Sequence, residues 1–378
     1  MKNALIVTNR VRKIPGGLVE CAIKPLQDLG YQVFWAADFS IAKFDLKDAP
    51  CEIIKTPSRT NPFNPKNIKT YKIIKRTILD KKIDLVFCHT PIGGFLGRIA
   101  SNRLKVKCVI YQAHGFLFFK NGPKLGWLFK IVEKWLAKKT DFLITINNED
   151  YNNACKFKLK QNGKCFMVHG SGMKLDFSPM KENDKYLKRK SLGIDNDKKI
   201  ILSIGELNSN KNVETLIKSV ACIKTNNFVV LICGEGTHEE KIKRLIKKLR
   251  IDERVKMLGY RTDINELLKI ASLYVTCSKR EGLSRTVSES MAAGIPCIVS
   301  NRRGMKDLID DGYGGFLFEP TNYQDLAEKI CRVFEMNVSE LEAIKKYNQN
   351  KIKNYQTDRV KKECFEILSF ADKRIFDK

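Results

Sequence analysis

The chain is short of acid, of histidine and of long apolar runs. It carries 42 Asp and Glu and 4 His against 69 Lys and Arg, a formal net charge of +27. No stretch approaches the ~18 uninterrupted apolar residues of a membrane span, which argues against an integral helix. The twelve cysteines include no C-x-x-C pair and no histidine at zinc spacing. They read as reduced, mostly core thiols of a cytoplasmic protein. Zinc-finger spacing and an RNA-binding aromatic signature are absent as well, so no nucleic-acid partner is expected, although the charge alone keeps that class as a rival. The start, Met1 to Thr8, has only a brief apolar run before Asn9 and Arg10, and reads as a strand and not as a signal peptide.

The acid shortage is uneven. Residues 1–180 hold 31 Lys and Arg against 13 Asp and Glu, a net of +18, and residues 181–378 hold 38 against 29, a net of +9. Such a field favours diphosphate substrates or anionic lipid. A length of 378 residues suggests two domains. Each half opens with strand, loop and helix: Ala4–Val7 then Pro15-Gly16-Gly17 and a helix ended by Gly30, and Lys199–Gly205 then Glu206 to Asn212 and a helix through Ala221. Strands alternating with helices make this an α/β chain with parallel sheets. Gly16 and Gly17 either let a ligand approach the backbone or form a plain turn. Gly234-Glu235-Gly236 lacks the third glycine of a dinucleotide fingerprint, because position 239 is Glu.

Candidate chemistry clusters at predicted strand ends, where open α/β sheets bind ligands. His89 follows the strand Asp84–Cys88, and His114 comes three residues after the strand Lys107–Tyr111, with Gly115 behind it to leave room. Lys211, beside Gly205 at a strand-loop-helix mouth, suits a diphosphate: a compact cation next to a helix N-terminus. The stretch Arg280 to Pro296 places Glu281 on a loop. Thr286 and Glu289 have capping-box spacing, which predicts a helix from about Thr286 with Glu289 in its first turn. Gly294 and Pro296 stop it. Carboxylates there suit paired hydroxyls of a ribose or a sugar ring. Asp195-Asn196-Asp197 has the letters of a metal motif but falls in a polar loop. Lys124 to Lys139 is basic with two tryptophans; it either lies on an anionic membrane or packs Trp127 and Trp135 inward, and most such stripes pack inward. Residues 178–192 are polar without apolar periodicity and read as an interdomain linker.

Glu281-Gly282-Leu283-Ser284, followed by Glu289-Ser290-Met291-Ala292-Ala293-Gly294-Ile295-Pro296, resembles the donor-sugar signature of retaining family 4 glycosyltransferases. His89-Thr90-Pro91, Ala113-His114-Gly115-Phe116 and Asp141 to Asp150 are similar to the acceptor side of the family's capsule and exopolysaccharide enzymes. The likeness covers nearly the whole chain. It implies a GT-B fold: two Rossmann-like domains facing across a cleft, at 1–180 and 181–358, with a last helix over 359–378 crossing back to the first. It also implies a nucleotide-diphosphate sugar donor, commonly uridine-linked, with retention of configuration and no obligatory metal or other cofactor. The donor would be held by Gly16, Gly17, Gly205, Lys211, Glu281, Gly282, Leu283, Ser284 and Glu289. His89 and His114 would lie on the acceptor side, with His114, Lys211 and Glu281 nearest the reaction. A lipid-linked sugar acceptor at the inner face of the cell membrane is expected. The sequence departs from the family at Glu206, where an arginine is usual. An epimerase of nucleotide sugars with the same fold is the other enzymatic reading.

Overall fold

A computed structural model of the chain describes residues 2–120 and 122–376. The first unit takes Met1–Met173 and Asn354–Lys378, and the second takes Lys174–Lys353. In the first, β1 (Lys2–Arg10), β2 (Tyr31–Asp38), β3 (Glu52–Lys55), β4 (Leu85–His89), β5 (Cys108–Ala113), β6 (Phe142–Thr145) and β7 (Lys164–Met167) form one sheet in the order β3-β2-β1-β4-β5-β6-β7. Every pairing is parallel. The central strands β4 and β5 are buried at every position, as near-continuous apolar runs must be when helices cover both faces. The edges β3 and β7 are half-exposed.

The second unit repeats the plan. β8 (Lys199–Ile204), β9 (Phe228–Cys233), β10 (Val255–Gly259), β11 (Leu273–Thr276), β12 (Cys297–Ser300) and β13 (Gly315–Phe318) lie in the order β10-β9-β8-β11-β12-β13, again all parallel. In each sheet the first strand has its successor on one side and a later strand on the other. That reversal, at β1/β4 and at β8/β11, opens a crevice beyond the strands' carboxyl ends.

The helix Thr357–Phe376 belongs to the first unit. It buries Val360, Cys364, Ile367, Leu368, Ala371 and Ile375 along one stripe. Charged anchors fix its register: Asp372 takes Lys2 Nζ at 2.8 Å and Tyr31 OH at 2.9 Å, Arg374 reaches Asp141 at 3.1 Å, and Glu363 Oε1 lies 2.8 Å from His169 Nδ1.

Two expectations change. Residues 178–192 carry a helix, Glu182–Ser191, that buries none of its residues. No apolar period marks it, but charge order does: Glu182 and Asp184 in the first turn and Lys188, Arg189 and Lys190 in the last complement the helix dipole. Lys188 ties it to Asp263 and Glu266 of the same unit. The helix Gly126–Ala137 buries only Gly126, Leu136 and Ala137. Trp127 and Trp135 are 58% and 45% exposed, so neither is a core residue. Inward packing is already taken by a different contact, the ion pair between Glu133 and the fully buried Arg98, whose guanidinium stacks 3.8 Å over the Tyr111 ring.

Leu368→Ala should cost about 2–5 kcal/mol, since it opens a cavity under the last helix. Urea denaturation followed by a probe in each unit should show an earlier midpoint for the first unit alone; an unchanged first transition would mean the helix is not integral to it.

Candidate active site

The first unit brings two of the predicted residues together. His89 closes β4 and His114 follows β5, and the pairing of His89 with Gln112 sets their strand ends side by side. His89 Nδ1 and His114 Nε2 are 3.2 Å apart, with ring planes 27° from parallel. His89 is buried, and that burial holds its pKa well below the usual value, with the neighbouring His114 adding to the effect. His114 keeps exposed surface but is crowded by protein, and the desolvation brings its pKa down to about 4. The pair is therefore neutral at ordinary pH.

Thr90, between His89 and the helix Pro91–Arg103, has φ 64° and ψ 154°, a conformation that costs a side-chain-bearing residue about 1–3 kcal/mol. Its buried hydroxyl has no hydrogen-bond partner among the described residues. The strain comes from how tightly the helix start is pressed on the sheet: a Cβ at Gly94 would stand 2.5 Å from the Tyr111 ring, and one at Gly93 would stand 3.0 Å from the Val7 carbonyl oxygen. Sequence reading missed Thr90, because backbone strain leaves no mark in residue type. Gly17 turns out to be required by packing, since a Cβ there would overlap the Ser171 carbonyl oxygen at 1.9 Å, whereas Gly16 faces open space.

The second unit gathers the charged residues at its own strand-order reversal. Gly205 follows β8 with φ 154°, and the Lys211 side chain passes it so closely that a Cβ would stand 3.0 Å from Lys211 Cε. Asn208 Oδ1 accepts from the backbone N–H groups of Asn210 and Lys211, which curls the loop. Lys211 Nζ then meets Glu281 Oε1 at 2.7 Å, both side chains being largely covered. The two loops are also joined through their backbones: Lys279 N–H donates to the Asn210 carbonyl, and the Asn210 amide donates to the Arg280 carbonyl. Gly234 and Gly236 are packing glycines, pressed against the carbonyls of Gly205 and Leu207.

Around Glu281 the signature loop is tightly folded. A Cβ at Gly304 would stand 2.5 Å from the Gly282 carbonyl oxygen. The buried Arg303 donates from Nε to the Glu281 carbonyl at 3.2 Å. Arg303 was not foreseen, though Arg302-Arg303 one residue beyond β12 was the available signal. Leu283 is half-buried and Ser284 is buried as the N-cap of the helix Arg285–Ala293.

The predicted capping box is not there. The helix begins at Arg285, its cap makes no side-chain hydrogen bond, and Glu289 lies in the second turn. The Thr286 hydroxyl is instead taken by the buried Tyr274 OH at 2.6 Å. Glu289 Oε1 accepts from Arg285 Nε at 2.8 Å, one turn back. Gly294 ends the helix with φ 79°, as expected. Glu206 is exposed.

Thr90→Gly should raise the stability of the first unit by about 1 kcal/mol, as relief of strain outweighs the extra chain entropy of glycine. A lower urea midpoint for this variant would mean that the threonine side chain contributes more than its backbone costs.

Two family models match the chain: "Glycosyl transferase 4-like" over residues 19–147 and "Glycosyl transferases group 1" over residues 184–351. The chain is 36% identical over 317 residues to the putative glycosyltransferase EpsD of Bacillus subtilis, covering 82% of each chain. It is 31% identical over 296 residues to UDP-Gal:alpha-D-GlcNAc-diphosphoundecaprenol alpha-1,3-galactosyltransferase of Escherichia coli, covering 76% of this chain and 74% of that one. Its fold is similar to that of Anabaena Alr3699/HepE in complex with UDP, with a TM-score of 0.78 at 20% identity, over 98% of this chain and 100% of the other. Lys211 and Glu281, and His89 and His114, thus sit at the strand ends of the two Rossmann-like halves of a GT-B enzyme, and the chain belongs to the family 4-type glycosyltransferases.

Proposed function

We propose that this glycosyltransferase moves a hexose or N-acetylhexosamine, with retention, from a nucleotide-diphosphate sugar to a sugar hydroxyl of a lipid-diphosphate-linked glycan, in the making of a cell-surface polysaccharide. The observation that carries this reading is the Lys211–Glu281 pair at the β8/β11 reversal. A diphosphate entering there competes for Lys211 and frees the Glu281 carboxylate to accept sugar hydroxyls. Lys211 then meets the negative charge that develops as the nucleotide leaves, where a fixed cation lowers the barrier most. Glu289 grips further donor hydroxyls. Uridine is the expected base, and the reaction draws on no obligatory metal. The likeness to an enzyme named for a diphosphoundecaprenol substrate supports the acceptor class.

A panel of nucleotide sugars offered with a lipid-diphosphate-linked acceptor, read by mass spectrometry and run with and without EDTA, tests the reading. One donor should give a lengthened acceptor; conversion of a donor without any acceptor would instead identify an epimerase. In the active pair, Glu289→Gln should weaken donor binding by about 1.5–3 kcal/mol, the worth of a charge-assisted hydrogen bond. Unchanged donor binding would leave Glu289 as a helix residue that serves only Arg285.

The acceptor's lipid anchor calls for a membrane surface, and the helix Gly126–Ala137 fits one. Among the described residues no helix is long and apolar enough to cross a bilayer. This helix instead exposes Trp127, Leu128, Ile131 and Trp135, next to the basic Lys124, Lys130, Lys134, Lys138 and Lys139. Apolar rings entering the headgroup boundary while lysines meet anionic phosphates make an interfacial anchor, each well-placed lysine contributing about 1 kcal/mol. The enzyme would then work from the cytoplasmic face. Co-sedimentation with vesicles should need anionic lipid, fall with salt and drop in Trp127→Ala with Trp135→Ala. Binding indifferent to lipid charge and to both substitutions would remove the anchor.

A further inference from the structure

The two histidines at the ends of β4 and β5 constrain each other's protons. His89 Nδ1 lies 3.2 Å from His114 Nε2, and the other ring nitrogen of His89, the buried Nε2, has no hydrogen-bond partner among the described residues. Two neutral imidazoles joined nitrogen to nitrogen need one N–H and one lone pair, which leaves two arrangements. If His114 donates from Nε2, His89 must carry its own proton on Nε2, and a buried N–H is stranded. If His89 donates from Nδ1, its Nε2 keeps only a lone pair, and His114 must carry its proton on Nδ1. Orphaned buried N–H groups are rare, and a stranded acceptor is tolerated better. The second arrangement therefore prevails. Packing keeps the His89 ring in place: it is 3% exposed and its centroid stands 4.3 Å from that of Phe87.

We propose that His89 is a positioning residue: its Nδ1–H donates to His114 Nε2 and holds His114 as the Nδ1–H tautomer, a neutral donor that offers one N–H to a sugar hydroxyl. The hydroxyl as recipient rests on the glycosyl transfer proposed above; the tautomer does not. In this state His114 is not a general base, because its one lone pair is already taken by His89. It fixes a hydroxyl by donation, and a change of tautomer would turn an N–H donor into an acceptor at the same spot.

The tautomers are read directly on the whole, substrate-free chain by long-range nitrogen–proton NMR of its histidine rings, with His89→Ala and His114→Ala for assignment. His114 should show a protonated Nδ1 and an unprotonated Nε2, and His89 likewise. In the transfer assay His89→Ala should lower kcat about ten- to a hundredfold, as removal of a partner that orients a histidine does elsewhere. Nucleotide affinity should stay unchanged. His89→Asn, whose amide N–H falls close to the Nδ1 position, should recover most of that loss. A protonated Nε2 on His114, or an imidazolium, overturns the tautomer; an Asn variant as impaired as the Ala variant overturns the positioning role. Should no donor be turned over at all, the function proposed above fails while the NMR result still decides the tautomer.

Discussion

Two all-parallel sheets covered on both faces leave few places for polar chemistry. Strand interiors are buried and mostly apolar, so reactive side chains collect where strands end and helices begin. Reversal of strand order at β1/β4 and β8/β11 then decides which of those ends stay open. The glycines of the signature loops follow from this crowding. Gly94, Gly205 and Gly304 each sit where a Cβ would strike a neighbouring ring, lysine stem or carbonyl. At Gly205 and Gly304 the missing Cβ lets loops close on one another around Lys211 and Glu281, and at Gly94 it lets a helix press on the sheet.

Both halves hold their reactive groups in compensated pairs. In the second unit a cation and a carboxylate meet at 2.7 Å, so neither is left as an isolated charge in a largely covered place. In the first unit desolvation keeps two imidazoles neutral, and their facing nitrogens stand 3.2 Å apart. On the function proposed above, a diphosphate draws Lys211 away from its partner, while the histidine pair keeps its bond. The helix Gly126–Ala137 is compensated in the opposite sense. Its Glu133 is committed inward to Arg98, and Trp127, Leu128, Ile131 and Trp135 are left outward.

Much of this was legible in the chain, because the relevant signals are local. Buried parallel strands announce themselves as short apolar runs, and Ala4–Val7 and Lys199–Gly205 were read in that way. The four-residue β12 and β13 escaped. So did Glu182–Ser191, which has charge order but no apolar face. The resemblance to glycosyltransferases rested on residues contiguous in sequence, and the comparisons bear it out.

By itself, then, the sequence determined the α/β class, the family, and which residues stand at strand ends, since each depends on neighbours in the chain. Tertiary structure alone decided how those residues are partnered. Thr286 has the spacing of a capping box, yet Tyr274, twelve positions earlier, takes its hydroxyl. Trp127 and Trp135 have the period of a core stripe, yet Arg98 holds the helix by its other face. His89 and His114 lie 25 positions apart, and only the pairing of β4 with β5 makes them one unit. Local pattern records what a segment can bury or donate; which of several eligible partners it meets is settled by packing, where each buried polar group is claimed by the neighbour that the fold brings within reach.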